Sequence, residues 1–340
     1  MDWKNYHRLN VIYDFMDNLA RECPSLCTVC TIGRTVEGRD IRLLKISNGR
    51  CNNAGVWLDG ATHPREWIST AVVTYVADQL VRNFDQHPEF ITNKDCYGWG
   101  ERGEEGSSED PGNIFYRGPE PFSEPETCAI RNAICESDTK FKVFLSFHSY
   151  GEVIIFPWGY TSDPCPDYVQ MLEAGTAMAK AIQKASGHTY KVGSTKDLMY
   201  YASGTSTDWS YAVANIPYSY MVELRGKRHR FLLPKEEIVC TAVEVLCGVM
   251  KLMEYVDKRC KKPCPPRPCP QPCSQPCPQP CDNDPPCRLS RSQSCRSSKS
   301  CKSSGSCRSA RSHSCRSSQS QCCESSDSQC QFPSKSCNFT

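Results

Sequence analysis

The chain has 340 residues, 40 Lys+Arg against 38 Asp+Glu for a formal net charge of +2, and 25 cysteines. That length allows one large domain or two smaller ones, and no apolar run approaches the roughly 18–20 residues that cross a bilayer, so no membrane-spanning helix is expected. The near-zero charge hides two opposite parts: residues 261–340 hold 12 basic and 4 acidic side chains, leaving 28 and 34 for residues 1–260, a mildly acidic body that is not expected to bind nucleic acid.

Residues 1–7, Met-Asp-Trp-Lys-Asn-Tyr-His, are polar with no apolar stretch behind them, which does not match a signal peptide. The cysteine usage points the other way, to an oxidising compartment. A truncated gene model or mature-form numbering reconciles the two. Between His7 and Glu22, Leu9, Ile12, Phe15, Met16 and Leu19 form a helical stripe. Short strands are predicted at Cys27–Ile32 and Asp40–Ser47, then a buried strand at Val56–Ala61 and a helix from Ile68 to Asn83. Further strands are predicted at Phe141–Phe147, Glu152–Pro157 and Tyr218–Leu224, and helices at Tyr168–Ala185 and Lys235–Lys258. Strands alternating with long helices predict an α/β fold with a mixed, largely parallel central sheet and helices on both faces.

The body is expected to end near Cys260. Residues 261–340 contain 14 cysteines, 21 serines and 12 prolines with almost no large apolar side chains. Such a segment cannot bury enough surface to offset its ordering entropy. It is predicted to be a low-complexity Cys/Pro/Ser/Arg-rich tail, disordered or cross-linked. Soft-metal thiolate clusters, disulfide cross-linking, contact with an anionic partner and a plain tether are all open to it. Cys23, Cys27 and Cys30 are candidate disulfide partners in the body, whose eleven cysteines leave at least one without a mate there.

The chemistry is carried by His63-Pro64-Arg65-Glu66, which follows a buried strand and precedes a helix. A His and a Glu three residues apart on a turn can converge on one cation, and a third nitrogen must come from elsewhere. Two His, one Glu and a water make the open four-coordinate site of a catalytic zinc. His148 is the candidate third ligand, because it ends the apolar run Phe144-Leu145-Ser146-Phe147 and strand ends carry the chemistry of α/β sheets. A lone His-x-x-Glu is also compatible with an ordinary surface turn, so further motifs have to decide.

Those motifs resemble the zinc metallocarboxypeptidase family, typified by pancreatic carboxypeptidases A and B, over most of residues 1–260. His63-Pro64-Arg65-Glu66-Trp67-Ile68 is similar to its first zinc motif, and Ser146-Phe147-His148-Ser149-Tyr150 to its third-ligand strand. The stretch Tyr200-Tyr201-Ala202-Ser203-Gly204-Thr205-Ser206-Thr207-Asp208-Trp209 resembles its substrate-capping loop. Val222-Glu223-Leu224-Arg225 resembles the strand that bears its general base, with Phe231-Leu232-Leu233-Pro234 following. Tyr116-Arg117-Gly118-Pro119 and Phe122-Ser123-Glu124-Pro125-Glu126 also fit. The resemblance implies one zinc held by His63, Glu66 and His148, with Glu223 as general base. It also implies Tyr200 (or Tyr201, one place along) closing over substrate, and Arg65 reaching the peptide backbone upstream of the cut. Thr207 falls at the family's specificity position, where an uncharged side chain implies a neutral or apolar C-terminal residue. The implied substrate is a peptide or protein C-terminus and the implied location extracellular. For Glu223 the competing reading is a strand-end carboxylate paired with Arg225, and for Arg65 a plain surface cation.

The resemblance breaks between residue 84 and Tyr116. The family carries here a further strand with an Asn-Pro-Asp-Gly motif, an arginine that polarises the scissile carbonyl, and an Asn-Arg pair that clamps the terminal carboxylate. This chain runs Asn93-Lys94-Asp95-Cys96-Tyr97-Gly98-Trp99-Gly100, as though several tens of residues were excised near 95–97. The family's disulfide in this region also loses both halves, with Gly112 standing where one cysteine would be. Bidentate carboxylate recognition by arginine supplies both orientation and charge, and removal of an oxyanion stabiliser typically costs about 10²–10³ in rate. The loss is therefore expected to impair turnover and to open or rearrange the sheet. Arg102, Arg117 and Arg131 are the cations left to substitute. An inactive family member that binds peptides or a partner protein is the rival reading, and a longer transcript that restores the segment is a third.

Overall fold

The computed structural model describes residues 1–49, 53–82, 107–108, 110–113 and 116–260. Helix α1 spans Leu9–Glu22 and buries Phe15 and Leu19. Strands β1 (Cys27–Arg34) and β2 (Asp40–Ile46) pair antiparallel. Then come β3 (Gly55–Gly60), α2 (Trp67–Arg82), α3 (Pro125–Cys135), β4 (Phe141–Ser149), β5 (Val153–Phe156) and α4 (Tyr168–Ser186). The chain continues through β6 (Lys191–Ser194), α5 (Thr195–Leu198), α6 (Ser206–Ala212), β7 (Tyr218–Leu224), a 3₁₀ turn at Lys235–Glu237 and α7 (Ile238–Cys260).

The main sheet has the order β3-β4-β7-β5-β6. Three of its four pairings are parallel and the β5–β7 pairing is antiparallel, the mixed, largely parallel sheet that the sequence predicts. Alternation along the strands explains both covered faces. Val143, Leu145 and Phe147 of β4 join α2, α4 and α7 in the larger core, while Phe144 joins Trp57, Ile134 of α3 and Trp209 of α6 in the smaller one. The face under α3 and α6 therefore also receives the even-numbered β4 side chains Ser146 and His148.

β1 and β2 form a separate two-stranded sheet, and among the described residues no strand pairs with the outer edges of β2 and β3. The readings placed on residues 83–106, Cys96 and Arg102 included, and on the 261–340 tail lie outside the described residues.

Two strand boundaries move for a local reason. Ala61 and Glu152 have φ of 67° and 53°, a left-handed backbone that an extended strand cannot contain. The predicted Val56–Ala61 and Glu152–Pro157 therefore close up to β3 and β5. Helix α3, with only Ala129 and Ile134 buried, has too weak a stripe to be seen in sequence. The four-residue β6 and seven-residue α6 are too short for a period, although the Thr205 side chain accepting from the Asp208 N–H is a recognisable N-cap. The candidate disulfide partners Cys23, Cys27 and Cys30 are not bridged to one another.

Where β7 ends, Arg225 is buried and forked onto Glu244 of α7, with Nε to Oε1 at 2.9 Å and Nη2 to Oε2 at 2.5 Å. Its Nη1 reaches Glu237 at 3.2 Å, and the Tyr190 hydroxyl donates to Glu244 Oε1 at 3.1 Å. This buried ion pair ties the end of β7 to α7. Packing is also close at Gly175 of α4, where an added Cβ would lie 2.7 Å from Val192 Cγ1 and 3.2 Å from Tyr220 Cε1. Gly175→Ala is expected to cost about 1–3 kcal/mol through overpacking, read as a lower urea midpoint at unchanged slope.

Candidate metal centre

The site begins where β3 stops. Ala61, in its left-handed conformation, donates its N–H to Ser69 Oγ at 2.8 Å, and that hydroxyl donates to Glu66 O at 2.7 Å. The chain is thereby turned back onto its own next helix. The turn closes with Glu66 N–H on His63 O at 3.1 Å and Trp67 Nε1 on Pro64 O at 2.9 Å. His63 and Glu66 thus leave the same side of one turn, with His63 Nδ1 2.8 Å from Glu66 Oε1. His148, near the end of β4, arrives from a different strand. Its Nδ1 lies 3.0 Å from Glu66 Oε2 and 3.2 Å from His63 Nδ1. The three side chains offer ligand atoms that all lie within 4.8 Å of one another.

This arrangement fits a cation. Two imidazole nitrogens facing each other at 3.2 Å are near enough to bind one cation together. Glu66 Oε2 is buried with no well-formed hydrogen bond, even though His148 Nδ1 is near enough for an ion pair. Both observations describe donor atoms aimed at a common point. A tetrahedral zinc with bonds of about 2.0–2.1 Å sets its donors roughly 3.3 Å apart, close to the separations seen. His63 is more than half exposed while Glu66 and His148 are buried, so one side of the centre is open to substrate and solvent.

Glu223 lies on β7, the strand next to His148. The parallel β4–β7 register sets it directly opposite His148. Burial pushes its carboxyl up to about 7, the charge of Glu66 adding to the rise while His148 and His63 oppose it. Glu66 behaves oppositely: burial would raise it, but the close approach of His148 and His63 outweighs that and brings it down to about 2. Its hydrogen bond in turn raises His63 above the ordinary imidazole value. Two nearby carboxyls with pKa values pushed apart are what separate acid and base roles need. The competing reading of Glu223 as the partner of Arg225 does not hold, because that guanidinium is spent on Glu244 and Glu237.

The sheet chemistry extends behind His148. Its Nε2 lies 3.0 Å from Ser146 Oγ, which donates to Asp59 Oδ1 at 2.5 Å, and Trp57 Nε1 donates to Asp59 Oδ2 at 2.8 Å. Burial raises the Asp59 carboxyl above the usual carboxylate range, with the bonds from Ser146 and Trp57 opposing. Asp59 was not singled out from the sequence. The available signal was an acidic residue inside the otherwise apolar run Val56–Ala61.

The family model described as zinc carboxypeptidase matches residues 12–99 and 92–247. The chain belongs to the zinc carboxypeptidase family. It is similar to carboxypeptidase B of Astacus astacus, 31% identical over 298 positions that cover 75% of this chain and 98% of that protein. It is 34% identical to carboxypeptidase A1 of Bos taurus, covering 75% and 71%. Among solved structures, bovine thrombin-activatable fibrinolysis inhibitor in complex with tick carboxypeptidase inhibitor superposes with a TM-score of 0.66, at 25% identity over 76% of this chain and 99% of that one. Helicoverpa armigera carboxypeptidase A gives 0.68 at 23% identity over 77% and 76%, a likeness of fold. The family is one of hydrolases that act on peptides and proteins, and the His-Glu-His cluster is compatible with its single zinc. The Astacus alignment spans 298 positions but only 75% of the 340 residues here, so about 40 positions have no residue of this chain opposite them. The family match breaks and resumes at 92–99, the place where the motifs fail.

The other family positions are less gathered. Arg65 stacks its guanidinium 4.1 Å over the Phe231 ring and lies close enough to His63 to oppose its protonation. Tyr200 is largely exposed, while Lys196 Nζ sits 5.5 Å over the ring of its neighbour Tyr201. Thr207 is fully buried in the first turn of α6, its hydroxyl 3.2 Å from that of Thr205. Arg131 lies over Phe122 at 4.9 Å. The Arg117 N–H is bonded to Ser108 O at 3.0 Å.

Proposed function

We propose that residues 1–260 form a metallocarboxypeptidase in which His63 Nδ1, Glu66 and His148 Nδ1 hold one zinc and Glu223 is the general base. The observation that carries this is the convergence of the two Nδ1 atoms at 3.2 Å beside the unbonded Glu66 oxygen, with Glu223 opposite His148 across the sheet. When bound, the zinc supplies Lewis-acid polarisation of the scissile carbonyl and a lowered pKa for the attacking water. Glu223 accepts that water's proton on a carboxylate oxygen and returns it to the leaving nitrogen. Arg65, braced on Phe231, holds the peptide upstream of the cut, and Tyr200 closes over it. Thr207 leaves the specificity position without charge, so a neutral or apolar C-terminal residue is favoured.

Turnover is proposed to be slow. The roughly 40 missing positions are where the resemblance puts the carboxylate clamp and the carbonyl-polarising arginine. The second reading, a family member that binds peptide C-termini or a partner without cleaving, is favoured by that same shortening. Zinc content measured alongside release of the C-terminal residue from blocked dipeptides separates the two. About one zinc per chain with slow release supports the enzyme. Zinc and dipeptide binding with no release leaves the binding protein, and no zinc at all sinks the proposed metal site. The proposed location is extracellular, and residues 261–340 are proposed as a separate tail that cross-links or meets an anionic partner. Among the described residues no helix is long and apolar enough to cross a membrane.

A further inference from the structure

The three polar groups behind His148 are placed by strand geometry alone. In the parallel β3–β4 register Asp59 sits opposite Ser146, and side chains two apart on a strand share a face. Trp57 and Asp59 on β3 therefore line up beside Ser146 and His148 on β4. The result is a single file of hydrogen bonds: His148 Nε2 to Ser146 Oγ at 3.0 Å, Ser146 Oγ to Asp59 Oδ1 at 2.5 Å, and Trp57 Nε1 to Asp59 Oδ2 at 2.8 Å. Ser146 and His148 are both nearly inaccessible, at 1% and 2% exposure, so water does not replace any of these bonds cheaply.

The file has a direction. An indole N–H can only donate, so Asp59 Oδ2 accepts from Trp57. With Ser146 donating its hydroxyl proton to Oδ1, the serine oxygen has lone pairs left for His148 and no second proton. His148 must then donate from Nε2, which leaves Nδ1 bare, and Nδ1 is the atom that faces His63 and Glu66. The same bonds stop the ring from flipping about its χ2 axis.

We infer that Asp59, acting through Ser146 and anchored by Trp57, is a positioning residue that fixes the tautomer and orientation of His148 for cation binding. This rests on the reading of His148 as a ligand but is separate from it, because Asp59 and Ser146 touch neither the cation position nor the substrate. Partners behind a ligating histidine commonly change metal affinity by about 10–100-fold, and that is the range expected here.

The test is metal binding rather than turnover. Wild type, Ser146→Ala and Asp59→Asn are compared by zinc competition against a chromophoric chelator, by the visible spectrum of the cobalt(II)-loaded protein, and by unfolding of the metal-free protein. The inference expects zinc affinity to fall about 10–100-fold and the cobalt bands to shift in both variants, beyond any change in metal-free stability. Asn at position 59 can accept at only one atom, so either the Trp57 N–H or the Ser146 hydroxyl is left facing an NH₂. Trp57→Phe removes one donor while keeping an aromatic ring against Phe141, and it decides the matter if the other two fail to fold. It is expected to weaken zinc binding several-fold with a smaller spectral shift. Zinc affinities within twofold of wild type and an unaltered cobalt spectrum in the folded variants overturn the inference. If wild type itself binds no zinc, the reading of the centre fails instead.

Discussion

Glu223→Gln is expected to lower kcat/KM by about 10²–10⁴, the range of a lost general acid–base, with zinc content and peptide binding kept. The amide is nearly isosteric with the carboxyl but cannot take a proton from water. Burial holds the Glu223 carboxyl at about 7 in the metal-free protein and a bound dication lowers it, so the acid limb of the wild-type kcat/KM profile should bend below that pH. The variant's residual activity should lack that bend. A variant that keeps full activity would remove Glu223 from the chemistry whatever its position.

The same group makes a stability prediction of opposite sense. Its folded pKa of about 7 lies above its unbound value of 4.5, so between those pH values the folded state binds more protons than the unfolded one. Stability then falls as pH rises through this window, by up to about 3 kcal/mol for this group at 1.36 kcal/mol per unit. Metal-free Glu223→Gln should therefore be more stable than metal-free wild type at pH 8, and the difference should close below about pH 4.5. An equal gap at both pH values would mean that the carboxyl is not buried as its charged form. On the proposed reading, this costly carboxylate is held where it can act as a base.

Loss of the metal is the second large effect. Ligand binding stabilises the folded state by about 4 kcal/mol when free zinc is a thousand times its dissociation constant. Chelation is expected to remove that stabilisation together with activity, and added zinc to restore both. His63→Ala and His148→Ala separate metal from packing. The His63 side chain is 57% exposed and that of His148 3%, so both variants should lose tight zinc binding, but only His148→Ala should also lower metal-free stability. Its ring is buried, and removal leaves a void and takes away one of the two hydrogen bonds of Ser146. Equal metal-free stabilities would show that His148 is held by the cation rather than by the hydrogen bonds behind it. Retained tight zinc binding in His63→Ala would remove that side chain from the centre.

The absent segment bears on function through the same geometry. Cation, base and the turn that carries them need β3, β4 and β7, and all three are in register here. The groups that would read a free carboxylate belong, by resemblance, to chain that this protein lacks. Bond-breaking machinery without its recognition clamp lowers specificity and rate together, since orientation supplies much of a barrier reduction.

Some of this was legible in the residues alone. The apolar alternation of Phe141–Phe147 and Tyr218–Leu224, the stripes of the long helices and the His-x-x-Glu turn are local patterns, because backbone geometry maps spacing onto a face within one element. The ligands within one turn, His63 and Glu66, followed from that. So did the break near residues 95–97, since a missing motif is a property of order along the chain. Spacing alone could not bring His148 and Glu223 to the same cation, because they lie on strands whose neighbours are chosen by packing rather than by sequence distance. That took the resemblance to a known family, and the parallel β4–β7 register then supplied the geometry. Asp59 shows the limit most clearly. In sequence it is one acidic residue in an apolar strand; only its pairing opposite Ser146, 87 positions away, makes it the end of a hydrogen-bond file to a metal ligand. Local periodicity determined which residues could face the site. Strand order and register, set by burying two faces of one sheet, decided which of them meet.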